Sequence, residues 1–411
     1  MSSLKKTMVF VATLAAMLFR IPAAQAAVPP GVWNILPAPP CASPGVTFFP
    51  SVNGTGNNVA WSPATRTGYV VGSCREDPQY YKYLPVIYKV AEGVVTTANA
   101  YNNPNYPGNI LLAVNMDPNS GYVCAAGYLS STTGPWQVNA QCSSDGVNFQ
   151  PIDCPSPGTN QNIAYGVHVF SPTNVLFIGT YDNVGSGVAL APKTYLARSN
   201  GTSCTLISSP NPNPKGDEWF GVGASSPRDI WLVGLQGNSN GYTPLAQHFN
   251  EAKLTFTEYT IPTGPASYAG EQLLSVSVRA DGEALADGYS TGGYAGYAAL
   301  NDYFNGASWS YEYPEPLEGR WSNVYRDYGV SYVNKYFGWS VGENQGLCQM
   351  GFWDGTQWNV FQCPSFQNNQ TVTNYFTGVD AGGDTHSALA GGWWNPSGNH
   401  PRVWIAQYTG N

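Results

Sequence analysis

Apolar and polar positions alternate along this chain in short segments that recur at a nearly constant interval. Seven apolar runs each end in a glycine, 49 to 55 residues after the previous one: Gly72, Gly127, Gly179, Gly234, Gly288, Gly342 and Gly391. A tight polar turn between two further apolar runs follows most of these glycines in phase, as at Gly93, Gly146, Gly201, Gly306 and Gly355. Asn-Gly and Asp-Gly between apolar runs indicate hairpins, because type I′ turns need positive φ. Each interval therefore predicts four short antiparallel strands.

Seven copies of a four-stranded unit predict an all-β fold, a seven-bladed β-propeller of four-stranded antiparallel blades. Unrelated sandwiches in series would not repeat one unit at this spacing. The seventh unit ends at Asn411 without a fourth strand. Residues 31–37 (GVWNILP) read like the fourth strands of other units, so we expect the N-terminal strand to complete the last blade. This pairing would remove an open sheet edge.

Two segments resemble known propeller repeats of bacterial secreted type. Leu389–Gly392, followed by Trp404 and Tyr408, resembles a kelch unit, and Ser143–Phe149 resembles a shortened Asp box of the BNR type. The resemblance implies a propeller scaffold, and that scaffold hosts many functions.

The N-terminal segment has the form of a secretory signal peptide. Lys5 and Lys6 precede an apolar run from Met8 to Phe19, and Ala24-Gln25-Ala26 forms a small-residue cleavage site. The run is shorter than a membrane span requires. We therefore expect residues 1–26 to be removed near Ala26, residues 27–411 to form a single domain, and the product to be secreted or periplasmic without a membrane span.

Composition narrows the class of protein further. Aromatic residues make up 14% of the 411 residues and charged residues only 10%, with 46 Gly and 32 Pro. The aromatic content excludes disorder, and the shortage of charge excludes helical bundles with charged exposed faces. A formal charge of −8 argues against nucleic acid as a partner.

Eight cysteines in an exported chain predict disulfides, and none has the spacing of a zinc or haem site. We expect the pairs Cys41–Cys74, Cys124–Cys142, Cys154–Cys204 and Cys348–Cys363 from their positions in the repeats. We expect no metal and no cofactor.

The loops between blades and between second and third strands carry aromatic and polar residues together. Flat aromatic rings beside charged and amide groups suit sugar rings, although aromatic residues also seal loops over a core. The predicted ligand-binding residues are Arg75, Tyr81, Glu218, Trp219, Arg320, Trp321, Trp393, Trp394 and Arg402. We expect a binding module for a glycan or a cell-envelope partner; a scaffold for extracellular protein interactions is an alternative.

A polysaccharide-active enzyme, either a lyase or a glycoside hydrolase, is the other alternative. No GxSxG motif supports a serine nucleophile, and the four histidines share no spacing. Carboxylates that could form a hydrolytic pair are Glu76, Asp77, Asp217, Glu218 and Glu271. Residues of the types that propeller lyases use are Tyr81, Arg320, Arg326 and His400. No pattern assigns catalytic residues, and the sequence favours binding over catalysis.

Overall fold

The computed structural model describes residues 31–41, 47–49, 57–77, 82–182, 184–185, 188–189, 191–211, 213–238, 241–262, 270–291, 297–311, 325–344, 347–364, 374–394 and 402–410. These residues form strands, turns and loops, and the all-β prediction is confirmed. No helix among them is long and apolar enough to cross a membrane. The predicted signal peptide lies outside this part of the chain.

Strands β1 (Gly31–Leu36) and β2 (Thr47–Phe49) come first, and the following strands form groups in chain order. Group 1 contains β3 (Val59–Ser62), β4 (Thr67–Asp77), β5 (Lys82–Ala91) and β6 (Val94–Ala98). Group 2 contains β7 (Gly108–Met116), β8 (Val123–Ser130), β9 (Gln137–Ser143) and β10 (Gln150–Pro151). Group 3 contains β11 (Asn162–Ser171), β12 (Asn174–Tyr181), the small hairpin β13 (Val184–Gly185) and β14 (Val188–Ala189), then β15 (Lys193–Ser199) and β16 (Cys204–Leu206).

Group 4 contains β17 (Asp217–Ser226), β18 (Asp229–Asn238), β19 (Gly241–Asn250) and β20 (Thr255–Tyr259). Group 5 contains β21 (Gly270–Val278), β22 (Ala284–Thr291), β23 (Tyr297–Phe304) and β24 (Trp309–Tyr311). Group 6 contains β25 (Tyr325–Asn334), β26 (Phe337–Asn344), β27 (Leu347–Trp353) and β28 (Trp358–Gln362). Group 7 contains β29 (Asn374–Asp380), β30 (Ser387–Trp394), β31 (Arg402–Gly410) and β1.

Within the described ranges, the strands form seven antiparallel groups of four. Two features lie outside these groups of four: the β13–β14 hairpin, and β2, which pairs with β4. Each group packs against the next, and group 7 packs against group 1 through β29, β30 and β3. Side chains in the first strand of one group accept hydrogen bonds from backbone N–H groups in the first strand of the next group. Asn115 accepts Val169 N–H (2.8 Å), and Asp380 accepts Trp61 N–H (2.9 Å). The second of these bonds joins the last group to the first.

The N-terminal strand completes group 7, as the sequence predicted. Strand β1 pairs antiparallel with β31 over six residues, from Gly31 opposite Gly410 to Leu36 opposite Ile405. Trp33 projects from β1 onto group 6 and group 7, with ring centroids 5.1 Å from Trp339 and 5.5 Å from Tyr408.

The recurring glycine has a steric cause. A Cβ at Gly234 would lie 1.9 Å from the carbonyl oxygen of Glu218 on the neighbouring first strand, and a Cβ at Gly342 would lie 1.9 Å from that of Arg326. Real Cβ atoms do not approach so closely, so only glycine fits. In group 7 the residue in this environment is Gly392, 2.1 Å from the carbonyl of Tyr375, rather than the predicted Gly391.

The turns between third and fourth strands share one hydrogen-bond pattern. The Asp145 carboxylate accepts the N–H groups of Val147 and Asn148, and Asn305 accepts those of Ala307 and Ser308 in the same way. The glycine after each of these residues has positive φ, 65° at Gly146 and 89° at Gly306. These side-chain bonds mimic a backbone turn, which is why Asp-Gly and Asn-Gly recur there.

The four expected disulfides are confirmed: Cys41–Cys74, Cys124–Cys142, Cys154–Cys204 and Cys348–Cys363. Two of them lie within a group. Cys154–Cys204 joins groups 2 and 3, and Cys41–Cys74 ties the segment after β1 to group 1.

Candidate functional site

One face of the fold collects the connections from second to third strands and the beginnings of the first strands; we call it the upper face. Near this face, six first strands contain a β-bulge, which inserts one extra residue opposite the second strand. The bulged residues recur at the period of the repeat: Leu112, Tyr165, Phe220, Leu274, Tyr328 and Thr377.

The bulges bring side chains of different groups together at the upper face. Phe220, Leu274 and Tyr328 are buried in one apolar cluster, and four half-buried residues pack against it: Tyr165, Leu235, Tyr289 and Tyr375. The residue after each bulge is small because the next first strand passes close by. A Cβ at Gly329 would lie 2.8 Å from the Cα of Gly378. The upper face therefore has an apolar, aromatic floor.

An arginine–tyrosine cluster (Tyr289, Arg326, Tyr328, Glu343 and Tyr375) lies on this floor in groups 5 to 7. Arg326 donates an N–H to Glu343 Oε1 (3.1 Å), and Tyr328 donates its O–H to the same oxygen (2.8 Å). The Arg326 guanidinium lies 5.4 Å from the ring centroid of Tyr289, a cation–π distance.

Burial is the main cause of the raised tyrosine pKa values in this cluster. Burial and the Glu343 carboxylate raise the pKa of Tyr328 far above its ordinary value, and burial and Glu343 raise the pKa of Tyr375 to about 12. Both phenols therefore remain protonated at neutral pH. The cluster presents the Arg326–Glu343 ion pair and neutral hydroxyl groups between aromatic rings.

An acid–tyrosine cluster (Tyr128, Tyr165, Asp182 and Glu218) lies at the upper face in groups 2 to 4. Asp182 accepts an N–H from the Asn160 amide (3.1 Å) and the backbone N–H of Gln161 (2.7 Å). Burial, and then the charge of Asp182, raise the pKa of Glu218 from 4.5 to about 7. Glu218 can therefore both accept and donate a proton near neutral pH. Burial and Glu218 in turn raise the pKa of Tyr165.

Further aromatic side chains follow the same face through groups 7, 1 and 2. Tyr128 and Trp136 stack with centroids 4.7 Å apart and planes 6° apart, and Tyr375 contacts Trp393 at 4.9 Å. Arg75 lies 6.0 Å from the ring of Tyr83, and Arg402 lies 5.9 Å from the ring of Trp394. All of these side chains are half-buried except that of Arg402, which is exposed.

The structure brings together four of the predicted binding residues. Arg75, Trp393, Trp394 and Arg402 lie at strand ends on the upper face of the neighbouring groups 1 and 7. Glu218 lies on the same face, but in group 4. Tyr81, Arg320 and Trp321 lie outside the described residues, as does His400.

Trp219 corrects the sequence prediction, because its side chain is fully buried. It packs in the apolar cluster between groups 3 and 4, with its ring 6.0 Å from that of Phe256. Successive residues of a strand point to opposite faces, so Trp219 points into the core while the half-buried Glu218 points away from it. The prediction that Trp219 contacts a ligand is wrong.

The same alternation separates two of the carboxylates considered as a hydrolytic pair. Asp217 is buried, accepts the N–H of Asn213 (3.3 Å), and has a pKa raised to about 6 mainly by burial. Glu271 is buried in β21. The acid whose charge raises the pKa of Glu218 is instead Asp182, which the sequence prediction did not include.

Sequence reasoning also missed Tyr165, Tyr289, Tyr328, Glu343 and Tyr375. Two signals could have found four of them: the bulge residues Tyr165 and Tyr328 recur with the repeat, and Tyr289 and Glu343 each follow a strand-ending glycine. No set of three or more His, Cys, Asp or Glu side chains is arranged to hold a metal ion among the described residues.

No protein-family model and no curated protein matches this sequence. Solved structures do match. One is an ulvan lyase, described as a new family of polysaccharide lyase, PL25, with a TM-score of 0.56, 10% identity, and coverage of 89% of this chain and 94% of that chain. The same lyase bound to -[GlcA(1-4)Rha3S]- has a TM-score of 0.51 at 11% identity, over 89% and 95% of the two chains. The β-propeller domain of the Trilobed protease from Pyrococcus furiosus has a TM-score of 0.47 at 8% identity, over 88% and 95%.

Identities this low are informative about the fold alone. The similarity to the lyase extends over nearly the whole of both chains, and in this chain antiparallel groups of four strands pack one after another. This chain has a β-propeller fold.

Proposed function

We propose that the seven groups are the blades of one propeller, and that its upper face binds a glycan. The observation that carries the proposal is the aromatic floor of the upper face, with the Arg326–Tyr328–Glu343 hydrogen bonds built into it. Aromatic faces stack on the C–H faces of sugar rings, while hydroxyl, guanidinium and carboxylate groups bond their hydroxyls. The match to a lyase bound to an acidic saccharide supports the same ligand class.

Affinity gel electrophoresis with a panel of neutral, uronic-acid and sulfated polysaccharides tests this proposal. We expect at least one polysaccharide to retard the protein. The double variant Trp394→Ala with Arg402→Ala removes the cation–π pair at the rim of group 7 and should weaken that binding about tenfold or more.

Tyr336→Ala is the matched control. Tyr336 is an exposed aromatic residue, 60% accessible, with Lys335 4.6 Å from its ring, but it lies in the β25–β26 turn at the opposite face. Its loss should leave the retardation unchanged. Retardation by no polysaccharide, or equal binding by the double variant and the wild type, would contradict the proposal.

A second candidate function, cleavage of the bound polysaccharide, is favoured by one observation. Glu218 has a pKa of about 7 and lies beside the Tyr165 phenol, which suits a group that moves a proton. Incubation with the retarding polysaccharide should then release reducing ends or unsaturated products, and Glu218→Gln should abolish that release while binding persists. Absence of products from the wild type would exclude cleavage and leave the binding proposal standing.

We further propose that residues 1–26 are a signal peptide and that the remaining chain is one exported domain. The four disulfides fit an oxidising compartment. Expression of the full chain in a bacterium, followed by cell fractionation and N-terminal sequencing, should give a secreted or periplasmic protein that begins near Ala27. An uncleaved cytoplasmic product would contradict this proposal.

A further inference from the structure

Three equivalent positions meet at the interfaces between consecutive groups. The first is the second-strand residue just before the strand-ending glycine. The second is the third-strand residue that pairs with this first residue. The third is the residue just before the bulge in the first strand of the next group. In five interfaces all three are buried apolar residues of one cluster: Val71, Ile87 and Leu111; Ala126, Ala140 and Ala164; Ile178, Leu196 and Trp219; Val233, Ala246 and Leu273; and Val341, Met350 and Phe376.

The interface between groups 5 and 6 departs from this pattern at all three positions. Its residues are Asp287, Asn301 and Asp327, with exposures of 0%, 1% and 1%. Asp287 and Asn301 pair directly across β22 and β23, so their side chains share a face. The Asn301 amide donates to Asp327 Oδ2 (3.0 Å), so the three side chains meet at one place in the interface.

Three side-chain oxygens of this interface lack hydrogen-bond donors. Neither carboxylate oxygen of Asp287 has a hydrogen-bond partner, and the Asn301 Oδ1 atom has none either. Buried polar atoms are almost always paired, and an uncompensated carboxylate in a protein interior is very costly. Three positions that are apolar in five other interfaces carry oxygen atoms here, so a proton or a bound cation must balance the charge of this interface.

We propose that Asp287, Asn301 and Asp327 form a buried site for one divalent cation, of the calcium class, between groups 5 and 6. Two carboxylates balance a divalent charge, and the donors are all oxygens, as hard cations prefer. No nitrogen or sulfur ligand is present in this set, which disfavours zinc and copper. The cation would tie two neighbouring groups together where the other interfaces use apolar packing.

Calcium binding by the purified wild-type protein tests this site. After equilibrium dialysis against calcium chloride, elemental analysis should find one calcium ion per chain. Removal of calcium with a chelator should lower the melting temperature by about 3–6 °C, and returning calcium should restore it. This arm needs no variant, so it does not depend on a variant's folding.

Two variants locate the cation. Asp287→Asn with Asp327→Asn keeps the shape of the cluster and should abolish calcium binding. Asp287→Val with Asn301→Ala and Asp327→Leu copies the interface of groups 4 and 5, and its melting temperature should no longer respond to the chelator.

Asp302→Asn is the matched control, because the next residue of β23 points to the opposite face of the strand. This variant should still bind one calcium ion. The proposal is overturned if the wild type binds no calcium and its melting temperature ignores the chelator. It is equally overturned if Asp302→Asn loses calcium while Asp287→Asn with Asp327→Asn retains it.

Discussion

Replacement of Trp33 by alanine tests whether the N-terminal strand holds group 7 to group 6. Trp33 is the largest side chain of β1, and it bridges two groups by contacting Trp339 of group 6 and Tyr408 of group 7. Trp339 is fully buried and Tyr408 is 2% exposed. Removal of the Trp33 side chain would therefore expose both rings to water. No other change in β1 removes as much contact between groups.

The expected loss of stability follows from these contacts. Trp33 is half-buried, so roughly 100 Å² of apolar surface returns to solvent, worth about 2.5 kcal/mol. The two aromatic pairs add about 0.5–1.5 kcal/mol each. The total lies toward the lower end of the sum because one edge of the indole already contacts solvent. Full burial would cost about 3–5 kcal/mol. We expect Trp33→Ala to lower the free energy of unfolding by about 3.5 kcal/mol, the lower end of this sum.

Urea denaturation followed by circular dichroism measures this loss, and Val32→Ala provides the matched control. Val32 is the preceding residue of β1, but its side chain is 62% exposed, so its truncation should change the free energy of unfolding by less than about 0.5 kcal/mol. If Trp33→Ala were as mild as Val32→Ala, β1 would not hold the last group to its neighbour, and the reasoning would be refuted.

Three further predictions concern the core, the disulfides and the upper face. Trp219→Ala should lower the free energy of unfolding by about 3–5 kcal/mol in urea denaturation, because Trp219 is a core residue. A change below about 1 kcal/mol would show that Trp219 is not buried in the core. Removal of the Cys154–Cys204 disulfide, which spans 50 residues, should lower the free energy of unfolding by about 4 kcal/mol. Removal of Cys348–Cys363, which spans 15 residues, should lower it by about 3 kcal/mol. The reverse order would contradict the loop-entropy explanation. The pKa of Glu218 rises from 4.5 to about 7 on folding, because the folded protein favours the neutral carboxyl group. The stability that Glu218 contributes is therefore fully present below pH 4.5 and is lost as the pH rises to 7. Relative to Glu218→Gln, the wild type should therefore lose stability between pH 4.5 and 7, and parallel pH profiles of the two proteins would rule out the raised pKa.

The repeat, the closing strand and the disulfides were predictable from the sequence because each rests on local chemistry. A glycine such as Gly234 is required by a backbone carbonyl on the neighbouring strand, and positive φ selects glycine in the turns. Once the strands are in phase, the cysteines fall opposite one another. The assignment failed only at Gly391, where two adjacent glycines leave the phase undetermined.

The site was less predictable, because bulges and strand alternation determine where side chains point. Glu218 and Trp219 are neighbours, and the sequence does not show which of them faces the axis. A bulge shifts the alternation by one residue, so Tyr165 and Tyr328 reach the upper face from first strands that otherwise read as core. Asp182 reaches Glu218 only through the packing of group 3 on group 4.

The most direct test of the glycan site is a crystal structure of the protein with an oligosaccharide from the polysaccharide that retards it most. Sugar rings should lie over the aromatic floor of the upper face, in contact with Tyr375 or Trp393 and within hydrogen-bond distance of the Arg326–Tyr328–Glu343 group. An oligosaccharide bound at the opposite face, beside turns such as Lys335–Tyr336, would contradict it.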